Sequence, residues 1–432
     1  MKRREFLLTT GGVVAAAIAA NGTSRTAPWL FKKFSRWSGP ANATKVWFTH
    51  STRPDRGRLA GNRLINTPGF VGCADLRTGQ CELLDVPLFG HEVIQNPLNP
   101  QILFTAEKWG LYAAIIDFKS RKIIAKIENG KGRRFFGHAQ FAIDGQSVFS
   151  SEMNDLSGEG VVVQRDLKTG LILNEFGSGG VLPHQLRWIR GGKSIAVINY
   201  AEGFLKPHEI DSNPKSPFQP VPLSQRAPSS DESTLGNRLA GGSKLTVLTL
   251  DSRGIFSETE SRLTALPSLF HFDWDPTTDL FFAAGNFEPG LVKATRTRSA
   301  LEILASPEFA PSGQVLSSPQ NPATPAKIFD FARAGSNGFL GEALSVAACP
   351  ARSQIAVSLP ESKSLLLWDW ATDRLIQVER FGEVARGVVF VDPETLIVTV
   401  GPELRVFKYG RDRWSETLRF PAGNGSHLTL GV

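Results

Sequence analysis

Only seven histidines occur in the 432 residues. Five of them sit at one recurring place in the sequence: Gly90-His91, Gly137-His138, Pro183-His184, Phe270-His271 and Ser426-His427. Imidazole ligates zinc, copper, iron and nickel, and it moves protons near neutral pH. The same place in two further copies of the pattern holds Glu342, in Gly341-Glu342, and Arg386. Brought to one axis, these side chains would make a ring of imidazoles with one carboxylate and one guanidinium. The candidate metal ligands are then His91, His138, His184, His271, His427 and Glu342, with Arg386 as a partner for an anion. Histidines that merely line a channel, or that serve acid–base or anion binding, would show the same spacing. Gly132-Arg133-Arg134-Phe135-Phe136-Gly137 leads into His138, so Arg133 and Arg134 are further anion candidates, with a solvated loop as the plainer reading.

The elements that must position these residues are strands. An apolar run ending in Asp, a polar turn and a second apolar run recur at Asp75, Asp117, Asp166, Asp251 and Asp369, with degenerate copies near Arg296 to Ser299 and Tyr409 to Asp412. Aspartate bonds its own backbone two residues on, and Gly79 and Gly170 can supply a positive φ. Spacings of about 40–50 residues between hairpins are those of propeller blades. The chain therefore reads as all-β: one seven-bladed β-propeller of four-stranded blades over 45–432. Only Lys45 to Thr49 precedes the first hairpin, whereas Ser426 to Val432 is one strand too many at the end. The C-terminal strand is expected to join the first blade and remove an open edge. Polar, Pro/Ser-rich stretches at 202–242 and 303–338 read as long loop insertions. Glu152-Met153-Asn154-Asp155 reads as a turn carrying carboxylates.

Lys2-Arg3-Arg4-Glu5-Phe6-Leu7 precedes a short apolar run and Ala17-Ile18-Ala19. Residues 1–19 read as a twin-arginine signal peptide and 20–44 as a linker, against an ordinary secretory signal or an uncleaved anchor. Export through the twin-arginine translocase to the bacterial periplasm is expected, with no membrane span left after cleavage. The net charge of +7 is scattered, without basic runs interleaved with aromatics, which argues against nucleic acid as a partner. Cys73 and Cys81 flank a hairpin turn and are candidates for a cross-strand disulfide. No CxxC, GxSxG, HExxH or helix-opening GxGxxG is present.

Arg134-Phe-Phe-Gly-His138 through Asp144-Gly145, Ser151-Glu152-Met-Asn154-Asp155, Gly160-Val161, Leu182-Pro-His184-Gln-Leu186 and Asn199 carry a resemblance. So, more weakly, do Ser268-Leu-Phe-His271 and Gly338-Phe-Leu-Gly341. The sequence is similar to a bacterial family called domain of unknown function 1513. The resemblance implies a periplasmic, twin-arginine-exported propeller, often encoded beside iron-uptake components such as imelysin-like lipoproteins, and no established activity. In the family the 202–242 stretch carries a Thr-His-Pro segment, matched here at best by Lys206-Pro-His208-Glu209. Two functions follow as expectations. One is a binding or accessory protein of the cell envelope, linked to iron or other metal uptake and partnered by an envelope protein of that system. The alternative is a periplasmic enzyme using the histidine ring with a transition metal or cofactor, either an oxidoreductase or a lactonase-like hydrolase. Histidines outnumber carboxylates at the expected axis, which disfavours a calcium-type site.

Overall fold

Short runs of Val, Ile, Leu and Phe closed by Asp- and Gly-bearing turns make strands of most described segments, and the turn chemistry is local. Asp75 Oδ1 accepts the backbone N–H groups of Arg77 (2.9 Å) and Thr78 (3.0 Å). Asp166 Oδ1 does the same with Lys168 and Thr169, and Asp369 Oδ1 with Ala371 and Thr372. Gly79 (φ 71°) and Gly170 (φ 73°) complete two of these turns in the left-handed region. The structure, a computed structural model, describes residues 43–51, 68–130, 132–154, 157–201, 203–204, 239–240, 243–251, 255–263, 268–286, 299–305, 327–330, 343–421 and 427–431.

The architecture is all-β and propeller-like, built from open antiparallel sheets. Four sheets of four strands each run in chain order, beginning with Glu92–Gln95, Ser268–Asp275, Val346–Cys349 and Ala385–Asp392; the first skips Lys108–Gly110, which pairs elsewhere. A further sheet orders Gln80–Val86, Gly69–Asp75, Lys45–Ser51 and Leu428–Gly431. Its last pair aligns Lys45 with Gly431 and Phe48 with Leu428. An eight-stranded sheet spans Lys108–Gly110 to Phe256–Leu263. Its long strand Ile172–Ile189 pairs first with Glu159–Asp166 and then, past Val181, with Ser194–Ala201.

Seven strands face inward: Glu92–Gln95, Arg133–Phe141, the second half of Ile172–Ile189, Ser268–Asp275, Val346–Cys349, Ala385–Asp392 and Leu428–Gly431. Each packs against the next, and the last against the first. Apolar side chains fill the space between neighbouring sheets, as where Leu365 and Leu367 meet Leu396, Val398, Phe407 and Trp414.

The structure corrects several local expectations. Cys73 pairs with Glu82 and Cys81 with Ala74, so a one-residue offset sends the two thiols to opposite faces, and both are free. Burial pushes the Cys73 thiol up to about 12. Residues 296–298 of the expected degenerate turn lie outside the described residues; Ser299–Ala305 is a third strand, and its partner Lys327–Asp330 lies inside the stretch read as the 303–338 loop. Glu152 is not on a turn but buried within Ser147–Asn154. At the base of the 202–242 insertion Gly203–Phe204 pairs with Leu239–Ala240. The remainder of both insertions, residues 1–42, and thus the proposed signal and most of the linker, lie outside the described residues. No helix among the described residues is long and apolar enough to cross a membrane.

Candidate metal centre

The inward strands break their ladders where the histidines stand. Opposite Glu152 and Ser150 the register jumps from Phe135 to Ala139, leaving Gly137 and His138 outside the pairing. Similar shifts fall between Pro183 and Leu186, between Leu269 and His271, and between Ala385 and Val388. A bulge bends the strand and re-aims a side chain, so these four irregularities turn His138, His184, His271 and Arg386 out of plain alternation. Gly137 takes φ 99°, and a Cβ there would stand 2.6 Å from the Cβ of His91. Leu182 holds φ 57° just ahead of Pro183-His184, a strained conformation for a residue with a side chain. His91 and His427 need no bulge, because each immediately precedes its strand.

The five histidines converge. One ring nitrogen from each of His91, His138, His184, His271 and His427 lies within 4.8 Å of all the others. Ring centroids are 4.3 Å apart for His138–His427 and 4.4 Å for both His91–His427 and His271–His427. His91 Nε2 and His427 Nε2 are 2.9 Å apart, a hydrogen bond whose donor depends on the tautomer. Three buried ring nitrogens find no hydrogen-bond partner among the described residues: His138 Nε2, His184 Nδ1 and His271 Nε2. An unpaired buried acceptor costs free energy, so such a cluster invites an occupant.

The surroundings fix the rings from outside. His138 Nδ1 is 3.0 Å from Glu92 Oε2, and His271 Nδ1 bonds the carbonyl of Leu344. With those nitrogens held as donors, the Nε2 atoms are left as lone-pair acceptors. His184 rests against Tyr200 (centroids 4.9 Å) and Phe136 (5.9 Å). Lys108 Nζ donates to the Tyr200 hydroxyl at 3.2 Å. Burial, followed by the charge of neighbouring groups, holds His91, His184, His271 and His427 well below the usual imidazole range. For His184 the first of those neighbours is Lys108, and for the other three it is His138. These rings are therefore neutral at pH 7, the form that binds a metal. An axial cavity of about 180 Å³ adjoins His271 and His427.

The remaining sequence candidates fall elsewhere. Arg386 stands close enough for its charge to act on His91, beside the cluster rather than in it. Arg133 is held by Glu175 through both guanidinium nitrogens, one contact at 2.8 Å, so it is an ion-paired strand residue and not a vacant anion site. Arg134 Nη1 bonds the Trp109 carbonyl at 3.3 Å. Glu342 lies outside the described residues. Glu92, Lys108 and Tyr200 were not foreseen. Glu92, adjacent to His91, was the nearest signal, while Lys108 and Tyr200 arrive through pairings across sheets.

Residues 84–203 match the family model described as "Protein of unknown function (DUF1513)". No curated protein is a significant match. Among solved structures the chain is similar to one described as a mitotic checkpoint complex, at 12% identity over 78% of each chain with a TM-score of 0.49. It is similar to the RRP9 WD40 repeats at 10% identity, covering 78% of this chain and 82% of that one, with a TM-score of 0.49. It is also similar to the Kuenenia stuttgartiensis hydrazine synthase at 10% identity, covering 81% and 89%, with a TM-score of 0.47.

Proposed function

The chain belongs, through residues 84–203, to the domain of unknown function 1513 family, and we propose that it binds a transition metal on the axis of a seven-bladed β-propeller in the bacterial cell envelope. The observation that carries this reading is the convergence of five imidazoles with unpaired buried nitrogens. A metal about 2.1 Å from each donor spans about 4.2 Å across its coordination sphere. The ring, now up to 4.8 Å wide, would close by only a few tenths of an ångström on loading. An all-imidazole set suits copper, zinc, nickel or iron and offers nothing to calcium or magnesium. Glu92 and the Leu344 carbonyl hold two rings by their far nitrogens, the usual support for metal-ligating histidine.

The propeller reading counts the eight-stranded sheet as two blades sharing Ile172–Ile189, which makes seven with the five four-stranded sheets. Pairing of Lys45–Ser51 with Leu428–Gly431 and the cyclic packing of the inward strands support closure through the C-terminal strand. Lys2-Arg3-Arg4-Glu5-Phe6-Leu7 supports export by the twin-arginine route, which carries folded, already loaded proteins. On this reading the protein is a periplasmic accessory of metal acquisition, partnered by an envelope protein.

The test is metal analysis of full-length protein purified from its native compartment, followed by titration of the stripped protein with Cu(II), Zn(II), Ni(II) and Fe(II). One metal per chain is expected. His138→Ala with His271→Ala is expected to abolish stoichiometric binding. Glu92→Gln should weaken it by about 10–100-fold, as loss of an outer partner does. Sub-stoichiometric binding of all four metals, or unchanged binding in the double histidine variant, would sink the proposal.

A further inference from the structure

The five histidines come from five neighbouring inward strands. In cyclic order these carry His427, His91, His138, His184 and His271. The remaining two, Val346–Cys349 and Ala385–Asp392, place no histidine in the cluster. They lie between the strands of His271 and His427. Those two histidines, alone among the five, also line the axial cavity. Its other walls include Ser345 and Val388 from the histidine-free side, Gln185 and Arg187 opposite, and the carboxylates of Glu92 and Asp273. We infer that the metal centre keeps one coordination position open toward this cavity and there takes a small inorganic anion. The inference rests on the metal reading above.

Three arguments lead to it. Five donors leave one vertex of an octahedron, and a site that keeps an open position is built to exchange a ligand, whereas a structural site is closed. The cavity, at about 180 Å³, has room for a few heavy atoms beside the metal. Charge then selects an anion. Imidazole ligands bring no negative charge and leave the full metal charge uncompensated, and the cations Lys108 and Arg386 both act on the cluster. Among the described residues Glu92 is the one carboxylate in contact with a histidine of the ring, and it is already engaged at His138 Nδ1. Asp273 is spent on Arg187 and on the backbone N–H of Ala348 at 2.8 Å. An entering anion completes the coordination and offsets charge that no protein ligand balances.

The experiment uses azide as the probe on full-length protein loaded with one equivalent of Cu(II). A saturable azide-to-copper charge-transfer band is expected, with cholate, a carboxylate far larger than the cavity of about 180 Å³, leaving the spectrum unchanged. Ser345→Leu, which adds bulk at the cavity wall, is expected to weaken azide at least tenfold while copper stays at one per chain. Stoichiometric copper with no azide band overturns the open position and leaves the metal reading standing. A cholate response equal to that of azide, or an azide affinity unchanged in Ser345→Leu, overturns the assignment to the cavity. If Ser345→Leu does not fold, the azide and cholate titrations of the native chain decide. Failure to bind copper, zinc, nickel or iron at all removes both readings together.

Discussion

The sheets of residues 343–421 and the segment 84–203 use the same four-stranded unit but bury different chemistry. In 343–421 the buried apolar side chains are Ala, Val, Leu, Ile, Phe, Trp and Cys349, and the buried polar ones are the uncharged Ser345, Gln354, Ser358, Ser364, Thr395 and Thr399. In 84–203 the interior takes in Glu107, Glu152, Arg165, His138 and His184 as well as Asn129 and Asn199. Apolar packing alone suffices to hold a sheet of this kind, as 343–421 shows. Charges buried beside the histidine strands therefore meet a requirement of position, since removing them from water is costly. Glu152 shows how that is met. Its carboxylate is fully buried, raised above the ordinary carboxylate range by burial, and bound by Arg165 Nε at 3.1 Å and Ser150 Oγ at 2.7 Å. Glu152 also pairs across the ladder with Phe135, at the edge of the bulge that presents His138.

The largest expected effect tests that contrast directly. Glu152→Ala strands Arg165 in the interior and should cost about 3–5 kcal/mol, as breaking a buried pair does. Thr399→Val, in the histidine-free region, removes only a hydroxyl bonded to the Gly387 N–H at 2.7 Å and should cost about 1–2 kcal/mol. Denaturant midpoints at constant slope measure both. Equal losses would dissolve the distinction between the two regions.

What the sequence shows and what it hides divides along the same line. Turns such as those at Asp75, Asp166 and Asp369 are legible because the side chain bonds backbone two or three residues away. The histidine register is legible because His91, His138, His184 and His271 each follow such a turn, at Asp75, Asp117, Asp166 and Asp251, with one outer strand between. Partners set by pairing across sheets are not. Cys73 and Cys81 look like neighbours until a register offset of one residue separates them. Glu152 looks like a turn residue because Arg165, its counter-ion, is thirteen positions away. Lys327–Asp330 escapes notice because a Pro/Ser-rich stretch intervenes before it. The cavity beside His271 exists only once strands as distant as those of Gln140 and Val388 share an axis.

Two glycines sharpen the comparison at intermediate size. Gly137 combines φ 99° with a neighbour, His91, too close for a Cβ. Gly382 has open space around the Cβ position and no positive φ. Gly137→Ala should cost about 1–3 kcal/mol and also weaken copper or zinc binding, because relief requires His91 to move. Gly382→Ala should change stability by less than about 1 kcal/mol and leave metal binding alone. Thermal denaturation and metal titration of the two variants check this, and equal metal affinity in both would show that Gly137 does not place His91.

The smallest effect per pH unit separates the two kinds of titrating residue. Neutral burial means that His91, His184, His271 and His427 take protons less readily in the folded chain than in the unfolded one. Above about pH 6.5 both states are deprotonated, and the linkage term is flat. As pH falls below that value the unfolded chain gains protons first, so stability declines, by at most about 1.4 kcal/mol per pH unit for each proton. The turn carboxylates Asp117 and Asp166 are lowered by hydrogen bonds from Ser120 and Thr169, so their contribution is present above about pH 4 and lost below it. Metal-free protein should therefore lose melting temperature in two acid steps, the first near pH 6. Loading with zinc should raise the melting temperature above about pH 6.5, while the onset of the first step, which the unfolded chain sets, stays where it is. A melting temperature at about pH 7 unmoved by saturating zinc would separate the histidine cluster from metal binding and confine the contrast between the two regions to stability alone.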